Sequence, residues 1–416
     1  MRVLLLTQYI DPEPFPINAM LRSWKAAGAE ITVLTGQPNY PDGVVYPGFR
    51  AWGVTEGRIL GEIPVFRVPT IPRGSRSALR LFANYLFFVF VSLTLGVWLL
   101  RGRRFDVVFV YAPSPITQSI AGAALARLKR ARLVTWVQDL WPQSLEATGF
   151  VRNRSLLRGA EAGVRWIYRC HDLLLGQSEA FVSAIKAMAP GVPVRYLPNP
   201  GGGGEPGAEL ARGKELRLGP GFNVVFAGNL GSVQSLETII DAADRLRAHT
   251  GIRFVLVGSG SRAAWLAGEV ARRKLENVDL PGRFPRHHME GILSQADAVL
   301  VTLSRSPILA QTVPSKIQGY LASGRPILAA LDGEGARVVE ELGAGLSSPA
   351  EDAEALAANV LRLEAMSERE RAQMGEAGRS GFERHFHPDA VAGTLMRMLR
   401  ELDLGRGSSP PSSSAG

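Results

Sequence analysis

A lysine in the first turn of a predicted helix is the first residue that suggests chemistry. The stretch TVPSKIQGYLASGRP (312–326) predicts a loop and then a helix, because Pro314 favours a first helical turn and the Gly324-Arg325-Pro326 cluster ends it. Lys316 then places a positive charge at the positive end of the helix dipole, which costs roughly 0.3–1 kcal/mol at a surface. Either Lys316 is a solvated lysine that accepts this cost, or it binds an anion.

A glycine-rich turn elsewhere in the chain could supply further contacts to such an anion. The segment 224–246 reads as a strand, a glycine turn and a helix, and Gly228 and Gly231 would let backbone amides approach a phosphate. The turn fits neither a Walker loop nor a dinucleotide fingerprint, and a second glycine turn at 257–262 is a weaker signal. Two helix N-termini in one domain, this one and the one at Lys316, would give two phosphates two sets of donors.

Strand and helix patterns that could position these turns alternate twice along the chain. Nine apolar strands are predicted, at 2–8, 30–36, 106–112, 132–139 and 172–178 in the first half and at 223–229, 253–260, 298–303 and 326–331 in the second. Continuous Val and Leu runs separated by helices indicate parallel sheets covered on both faces. The sequence therefore predicts an α/β protein of two doubly wound domains facing each other across a cleft, at the carboxyl ends of the strands.

Composition sets the predicted domain limits. The segment NPGGGGEPG (199–207) can hold no regular structure and is expected to act as a hinge, and the serine- and proline-rich tail is expected to be disordered. The predicted segments are an N-terminal domain at 1–198, a glycine-rich linker at 199–216, a second domain at 217–380, a helix at 381–404 that returns to the first domain, and the tail at 405–416.

The overall charge favours an anionic partner. The chain has 416 residues, enough for two domains with full cores, and a formal charge of +9. Nucleic acid, a membrane surface and a phosphorylated substrate would all fit this charge, but no nucleic-acid recognition module is recognisable. The single cysteine, Cys170, excludes an intramolecular disulfide and fits a reducing cytosol. The apolar run at the start is too short for a signal peptide and is predicted to be a strand.

One apolar block is long enough for a membrane. Residues 81–100 carry no charge and as a helix would cover about 30 Å. Predicted strands lie on both sides of the block, so if they share one sheet a span would divide that sheet between two sides of a bilayer. The block is therefore expected to be buried, to re-enter on one side, or to lie in the membrane interface. Arginines flank it on both ends, at Arg73, Arg76 and Arg80 and at Arg101, Arg103 and Arg104.

A second basic element follows the block. Arg154, Arg158, Arg165 and Arg169 recur near one face of a predicted helix, beside Trp166 and Tyr168. Symmetric arginines around an apolar block suit an interfacial element on anionic lipid better than a span. A large core helix with a solvated charged face is the alternative. We favour a monotopic membrane contact.

Seven longer motifs are more specific together than any single feature. They are GNLGSVQSLETII, VPSKIQGYLASGRPILAALDGEGARVVEE and GAGLSSPAEDAEALA in the second half, and TQYIDPEPFPIN, LTGQPNYPDG, YAPSPIT and VQDLWPQSLEATG in the first. This combination resembles the family 4 retaining glycosyltransferases, which have the GT-B fold. The first-half motifs resemble a bacterial subgroup that includes N-acetyl-L-fucosamine transferases. The likeness extends over nearly the whole chain.

The resemblance implies roles for individual residues. On the donor side it implies Gly228, Asn229, Gly231, Arg283, Ser315, Lys316, Gln318 and Glu334. It implies catalytic roles for Asp139, Lys316 and Glu13, and acceptor-side roles for Asn18, Tyr111 and Ser114. Asp139 is the first candidate for steadying the transferred sugar or the acceptor hydroxyl. An ordinary strand-end aspartate that caps a helix near Trp141 is the alternative for that residue.

The sequence also departs from the family pattern. Two glutamates that many members carry correspond to Gln311 and Gly319, and the usual Arg and Lys of the phosphate loop correspond to Asn229 and Gln234. The chain would then depend on Lys316, on backbone amides and on Glu334, and the residue that holds the donor ribose stays open. No Asp-x-Asp motif occurs and the histidines lack metal-ligand spacing, so no metal site and no cofactor are expected.

The resulting prediction is a metal-independent hexosyltransferase. It would move an N-acetylated hexosamine, 6-deoxy or not, from a UDP-sugar to a lipid-linked sugar, as a peripheral or monotopic protein at the inner face of a bacterial cytoplasmic membrane. Two alternatives stay open. A nucleotide-sugar 2-epimerase would release free product without an acceptor, and a non-catalytic scaffold of a polysaccharide assembly complex would show no thermal stabilisation by nucleotides.

Overall fold

Two compact units make up the chain. The computed structural model describes residues 1–74, 78–147, 153–201 and 216–404. The first unit comprises Met1–Pro200 and Pro388–Gly416, and the second comprises Gly201–His387. Most of the predicted linker, the predicted tail at 405–416 and Arg76 lie outside the described residues.

The first unit is built on a mostly parallel sheet. Its strands are β1 (Arg2–Leu6), β2 (Glu30–Gly36), β3 (Thr55–Ile59), β4 (Ile63–Val68), β5 (Val107–Ala112), β6 (Arg132–Val137), β7 (Leu173–Gly176) and β8 (Val194–Tyr196). Their order in the sheet is β3-β4-β2-β1-β5-β6-β7-β8, and only the β3–β4 pair of these described strands is antiparallel. Side chains alternate between two buried clusters, with Leu4 and Leu6 on one face and Val3 and Leu5 on the other.

Helices cover both faces of this sheet. They are α1 (Ile17–Ala26), α2 (Ala78–Val91), α3 (Val97–Leu99), α4 (Gln118–Lys129), α5 (Gln143–Ala147), α6 (Arg154–Arg169) and α7 (Glu179–Met188). A π-helical segment, Ser92–Gly96, joins α2 to α3 without a break. The predicted apolar block therefore forms one long helical run between β4 and β5.

The apolar run packs one side on the sheet and leaves the other side open. Within the described residues, the stretch Arg80–Leu99 is long and apolar enough to cross a membrane by length and composition, but only 28% of it is buried. Because β1, β2 and β4 precede the run and β5 follows it in the same sheet, a single crossing is incompatible with the fold. Asn84 connects the run to the loop after β1, because its Oδ1 accepts from Gln8 Nε2 at 2.6 Å and from the Tyr9 hydroxyl at 3.3 Å.

The second unit has a fully parallel sheet among its described residues. Its strands are β9 (Phe222–Asn229), β10 (Ile252–Ser259), β11 (Val278–Gly282), β12 (Ala298–Thr302), β13 (Ile327–Ala330) and β14 (Gly345–Ser348), in the order β11-β10-β9-β12-β13-β14. Its helices are α8 (Leu236–Arg245), α9 (Ala263–Arg273), α10 (Met289–Leu293), α11 (Ser315–Ser323), α12 (Glu334–Glu341), α13 (Ala353–Ala365) and α14 (Glu368–His385). Central β9 contributes Val224 and Phe226 to one buried cluster and Val225 and Ala227 to the other.

The last described helix, α15 (Pro388–Leu404), belongs to the first unit. It packs against α1, where Trp24 Nε1 lies 2.9 Å from the sulfur of Met396 and both side chains are buried. Val391, Leu395 and Leu399 complete the buried stripe of α15 at helical spacing. This helix therefore closes one face of the sheet in the first unit.

All nine strands predicted from apolar runs are present. Five further strands were missed, and four of them are the edge strands of the two sheets, β3, β8, β11 and β14. An edge strand need not be apolar along its length, as the exposed residues of β3 illustrate, so it lacks the pattern that identified the central strands.

Candidate functional site

The second unit holds Lys316 against a glycine turn. Lys316 is the second residue of α11, which begins after Pro314 with no side-chain cap, so the first amides of the helix have no intrahelical acceptor. The side chain crosses the carboxyl end of β9, where a Cβ added to Gly228 would lie 2.8 Å from Lys316 Cε. Gly228 has φ +138°, a conformation that other residues rarely adopt. The side chain of Lys316 can therefore occupy this place because position 228 has no Cβ.

Two neutral groups contact the ammonium of Lys316. Its Nζ lies 3.6 Å from the centroid of the Phe226 ring and donates a hydrogen bond to Gln234 Oε1. Burial without a carboxylate lowers the pKa of Lys316 to about 7. A lysine in this setting gains a full charge when an anion arrives, because a nearby negative charge favours the protonated form.

The second glycine turn supports the first. Gly258, at the end of β10, has φ +155°, and a Cβ there would lie 1.8 Å from the carbonyl oxygen of Gly228. A Cβ at Gly260 would lie 2.4 Å from the oxygen of Leu230, and Leu230 N–H donates to Ser259 O at 2.9 Å. The turn at 257–262 thus serves as packing for the turn that faces Lys316.

Side chains from neighbouring elements fix the same turn. The hydroxyl of buried Tyr320, one turn after Lys316 in α11, accepts from Ala227 N–H at 2.9 Å. Thr302 at the end of β12 donates to the carbonyl of Gln234, and Ser304 donates to the carbonyl of Ser232 at 3.3 Å. These bonds hold the turn after β9 in one conformation, with Gln234 directed at Lys316.

Asn229 and Gly231 contribute to this turn in different ways. The side-chain amide of Asn229 lies against both Gly231 and Gly260, and a Cβ at either glycine would come within 2.7 Å of it. Gly231 is buried, whereas Asn229 is exposed. Both predicted residues therefore lie in the turn, and the Asn229 amide packs across it.

The other predicted donor residues differ in exposure and in where they lie in the unit. Ser315 is exposed beside Lys316 at the start of α11, whereas Gln318 is buried against Gly201. Two positions along a helix differ by about 200° in direction, so Gln318 points away from Lys316. A donor-binding role for Gln318 stays a prediction. Arg283 is exposed directly after β11, at the far edge of the sheet.

Glu334 begins the next helix in the unit. It is buried in the first turn of α12, and its Oε2 accepts from Arg337 Nη2 at 2.7 Å. Pairing with Glu334 and Glu341 raises the pKa of Arg337. A Cβ at Gly335 would lie 3.1 Å from Pro314 Cδ, so α12 starts directly against the loop before Lys316.

The positions that lack the family glutamates offer no replacement acid. Gln311 donates to the carbonyl of Pro307 at 3.1 Å, and Gly319 faces open space. No carboxylate therefore occupies either position next to α11.

In the first unit, Glu13 lies under the loops that follow β1 and β2. It is 0% exposed, and its carboxylate accepts from the backbone N–H groups of Asn39, Tyr40 and Ile10 at 2.8, 2.8 and 3.2 Å. Burial raises the pKa of Glu13 to about 7, although these three hydrogen bonds act in the opposite direction. Asn18 holds the same loop, because its Nδ2 donates to Glu13 O at 2.7 Å. Glu13 therefore joins loops without reaching solvent, whereas Asn18 is half-buried.

Asp139 follows β6 and is half-buried. Its carboxylate accepts from Trp141 Nε1 at 3.0 Å and faces the hydroxyls of Ser114 and Ser144. Burial raises the pKa of Asp139, although these polar groups act in the opposite direction. Ser144 lies in the first turn of α5, so the capping alternative and a role at the site are both compatible with this geometry.

Two predictions about aromatic residues need correction. Tyr111 is buried in the sheet core with its ring 5.5 Å from that of Trp136, so its hydroxyl does not reach an acceptor-facing surface. Tyr168 lies on the fully buried side of α6 rather than beside its arginines, whereas Trp166 is exposed as expected.

The arginines of α6 differ in exposure. Arg165 forms an ion pair with Glu161 at an N–O distance of 2.7 Å, which leaves Arg154, Arg158 and Arg169 as the exposed arginines of that helix.

Sequence reasoning missed several residues of both units. Phe226 had no signal of its own, and Gln234 was identified only as a departure from the family pattern, because the role of each depends on where Lys316 lies after folding. Arg73 was grouped with the flank of the apolar block, although its guanidinium carbon lies 5.1 Å from the centroid of the Tyr40 ring.

No group of three or more His, Cys, Asp or Glu side chains in the described parts of the chain is arranged to hold a metal ion. The expectation of metal-independent chemistry stays a prediction.

Comparisons with known proteins identify the same class for both units. Residues 17–200 match the model of the glycosyl transferase 4-like domain, and residues 221–365 match that of the glycosyl transferases group 1. The chain is also 28% identical over 328 residues to WcaI of Escherichia coli (strain K12), which is named as a colanic acid biosynthesis glycosyl transferase. That similarity covers 72% of this chain and 75% of WcaI.

Solved structures show the same fold over nearly the whole chain. Sucrose-phosphate synthase from Thermosynechococcus elongatus matches with a TM-score of 0.69 at 16% identity, covering 97% of this chain and 99% of the other. Anabaena Alr3699/HepE, solved in complex with UDP-glucose, matches with a TM-score of 0.60 at 14% identity, covering 96% and 100%. The architecture of two Rossmann-like α/β domains is thus the GT-B fold.

Proposed function

Because the chain is a hexosyltransferase that belongs to the family 4 glycosyltransferases with the GT-B fold, we propose its donor, its acceptor and its location. The donor is a UDP-sugar carrying an N-acetylated hexosamine, 6-deoxy or not. The acceptor is a sugar on polyprenyl diphosphate, used in assembly of a bacterial surface polysaccharide such as O-antigen. The anomeric configuration is retained, and the protein is peripheral or monotopic at the inner face of the cytoplasmic membrane.

The geometry around Lys316 is the observation that carries the donor assignment. A lysine with neutral partners lies beside a glycine turn and an uncapped helix start, which together offer one cation and several backbone donors. A nucleoside diphosphate carries the two adjacent negative groups that such a set accommodates. The UDP bound by Anabaena HepE supports the choice of nucleotide only by its similar fold.

In the proposed reaction, these donors act on the leaving group. Negative charge grows on the diphosphate as the bond to the sugar breaks, and Lys316 and the first amides of α11 stabilise it. The acceptor hydroxyl attacks from the same face, which retains the configuration, and its proton passes to the departing diphosphate. Asp139 is the proposed partner of the developing positive sugar or of that hydroxyl, and Glu13 and Asn18 act as positioning residues through the loops they join.

The open side of the apolar run supports the membrane assignment. Phe82, Leu86, Phe90 and Trp98 are exposed at spacings of four and eight residues and form one stripe, which we call the apolar stripe. Beside the apolar stripe, the ring centroid of exposed Trp52 lies 5.7 Å from that of Phe87. The guanidinium carbon of Arg101 lies 4.2 Å from the centroid of the Trp98 ring, which places a cation at one end of the apolar stripe. An apolar face with a basic end suits the boundary of an anionic bilayer.

A donor panel tests the proposed function. Purified protein is incubated with radiolabelled UDP- and GDP-sugars and bacterial membrane lipid extract, and label is counted in the organic phase. We expect label from a UDP-N-acetylhexosamine with the wild type and with Lys186→Ala, an exposed lysine of α7, but not with Lys316→Ala. Absence of lipid-bound label from every donor would contradict the proposal.

The same assay separates the rival enzyme. A 2-epimerase would convert the nucleotide sugar or release sugar into the aqueous phase without any lipid extract. Chromatography of the aqueous phase, with and without extract, therefore distinguishes the two enzymes in one experiment.

A further inference from the structure

The loops at the carboxyl ends of five neighbouring strands of the first unit form a polar surface around Arg73. The strands β4, β2, β1, β5 and β6 are adjacent in the sheet, so the residues that follow them lie along one edge. Arg73 follows β4, and its backbone N–H donates to Asn39 Oδ1 at 3.2 Å in the loop after β2. This bond fixes where the arginine leaves the backbone.

Aromatic rings form the floor below Arg73. Its guanidinium carbon lies 5.1 Å from the centroid of the Tyr40 ring, which packs against Phe15 at 4.9 Å and Tyr9 at 5.7 Å. Stacking on a ring orients a guanidinium and leaves its N–H groups available at the edges. Arg73 also interacts electrostatically with the hydroxyls of Tyr9 and Tyr85.

The charge of Arg73 is not neutralised by a neighbouring acid. In the described parts of the chain, no carboxylate forms an ion pair with it. Glu13 is the buried acid of this region, and its oxygens accept from three backbone amides instead. Arg67, a buried arginine of β4, donates to the carbonyls of Asp11 and Gly36. Arg73 is therefore the cation of this surface to which an anionic ligand would bind.

Polar side chains continue from this surface to Asp139. Tyr85 lies in α2 next to the apolar stripe, and the hydroxyl of Ser114 faces both Tyr85 and the carboxylate of Asp139. One end of this group of polar side chains thus has an arginine and phenols, and the other end has a carboxylate. The stripe residues Phe82 and Leu86 are exposed on the same helix.

We propose that Arg73, with Tyr40 and Tyr85, binds the diphosphate of the lipid-linked acceptor. The prenyl chain then follows the apolar stripe, and the acceptor sugar extends toward Asp139. This inference rests on the proposed function, because it names where one part of the proposed acceptor binds. The proposed acceptor site lies in the first unit, whereas the proposed donor residues lie in the second unit.

Binding measured without any donor tests the site. Farnesyl diphosphate, inorganic diphosphate and farnesol are titrated calorimetrically into the full-length Lys316→Ala chain, so that the donor residue cannot contribute. We expect Arg73→Gln in that background to weaken farnesyl diphosphate binding by about ten- to a hundredfold, the range for one charge-assisted contact to phosphate. The control Arg22→Gln, an exposed arginine of α1, should change it by less than about twofold.

The three ligands distinguish the sources of the anion. Farnesyl diphosphate binding more tightly than inorganic diphosphate, with farnesol not bound, supports a lipid diphosphate. Equal affinity for the two diphosphates would overturn the lipid assignment, and equal losses in the Arg73 and Arg22 variants would overturn the site. Arg73→Lys and Tyr85→Phe serve if Arg73→Gln lowers the melting temperature, and each should weaken binding less than Arg73→Gln does.

Failure of the proposed function gives a different result. If no donor yields lipid-bound label, the binding measurements still report on Arg73. If label is transferred, Arg73→Gln should raise the KM for the lipid acceptor by about tenfold or more with the KM for the donor unchanged. An unchanged acceptor KM in a folded Arg73→Gln protein would overturn the inference.

Discussion

The ammonium of Lys316 lies 3.6 Å from the centroid of the Phe226 ring, at the carboxyl end of the central strand of the second unit. This contact explains how a cation is tolerated in the first turn of a helix, where the dipole opposes it. The ring and the Gln234 carbonyl supply partial negative charge without neutralising the lysine. The arrangement keeps a cation available for a ligand while it satisfies part of its bonding when no ligand is bound.

Replacing Lys316 by alanine should strongly slow sugar transfer. The loss of one preorganised donor to a developing anion costs about 3–4 kcal/mol, or roughly 10²–10³ in kcat/KM. Lys316→Arg should recover part of the rate, because the charge is kept in a different shape. Initial rates with the preferred donor check this, with Lys186→Ala as control. Normal turnover in a folded Lys316→Ala protein would refute the assignment.

Donor affinity should fall as the pH rises through neutrality. The pKa of Lys316 is about 7 in the free protein, and a bound diphosphate raises it, so binding takes up a proton above that pH. The dissociation constant should increase by up to about tenfold per pH unit until the pKa of the complex is reached. Calorimetry with UDP-glucose in buffers of different ionisation heat measures the proton uptake. Lys316→Arg should remove this dependence, and equal uptake in both proteins would contradict the explanation.

The central fold was predictable because its strands are buried on both faces. Continuous apolar runs, such as VLLL in β1, VVFVYA in β5 and VVFA in β9, indicate a parallel sheet that helices cover on both faces. The edge strands β3 and β14 read as TEGRI and GLSS, which have no apolar run to distinguish them from loops. Pairing with a neighbour, rather than local pattern, makes them strands.

The backbone of the candidate site and its lysine were predictable, but the side-chain contacts of Lys316 were not. Gly228 and the start of α11 have local signatures, since a positive φ and a helix start are properties of short segments. The contact of Lys316 with Gln234 joins positions 82 residues apart, and no short pattern records it. The contact of Arg73 with Tyr40 was not predictable for the same reason, because the two residues lie in different loops.

A carboxylate at position 234 should inhibit donor binding. In Gln234→Glu the new acid would pair with Lys316 and repel the diphosphate, at a cost of roughly 1–4 kcal/mol for charges about 4 Å apart near a surface. The dissociation constant for UDP-glucose should rise by tenfold or more. Gln234→Ala removes the contact without adding charge and should change it by less than about fivefold. Similar effects of the two variants would show that charge at this position is unimportant.

A methyl group at Gly258 should damage the glycine turn. The added Cβ would lie 1.8 Å from the oxygen of Gly228 at φ +155°, so Gly258→Ala should lower the free energy of unfolding by at least about 2 kcal/mol. Gly268→Ala is the matched control, because that glycine lies within α9 and has nothing within 4 Å of its added Cβ. It should stabilise the protein by about 0.5–1 kcal/mol. Denaturant unfolding compares the two, and equal stabilities would contradict the packing argument.

A charge in the middle of the apolar stripe should weaken membrane binding without unfolding the protein. Phe90 is 61% exposed, so Phe90→Glu removes little packing but prevents burial in lipid of a ring worth about 1.5–3 kcal/mol. Sedimentation with vesicles containing anionic lipid should show binding reduced by about tenfold or more. Leu404→Glu, at a residue that is 76% exposed at the end of α15, adds the same charge elsewhere and should have a small effect. Equal reductions in both variants would mean that net charge, and not the stripe, governs binding. Raising the salt concentration should weaken binding of the wild type and of Leu404→Glu alike, because the flanking arginines act through screened attraction to the lipid.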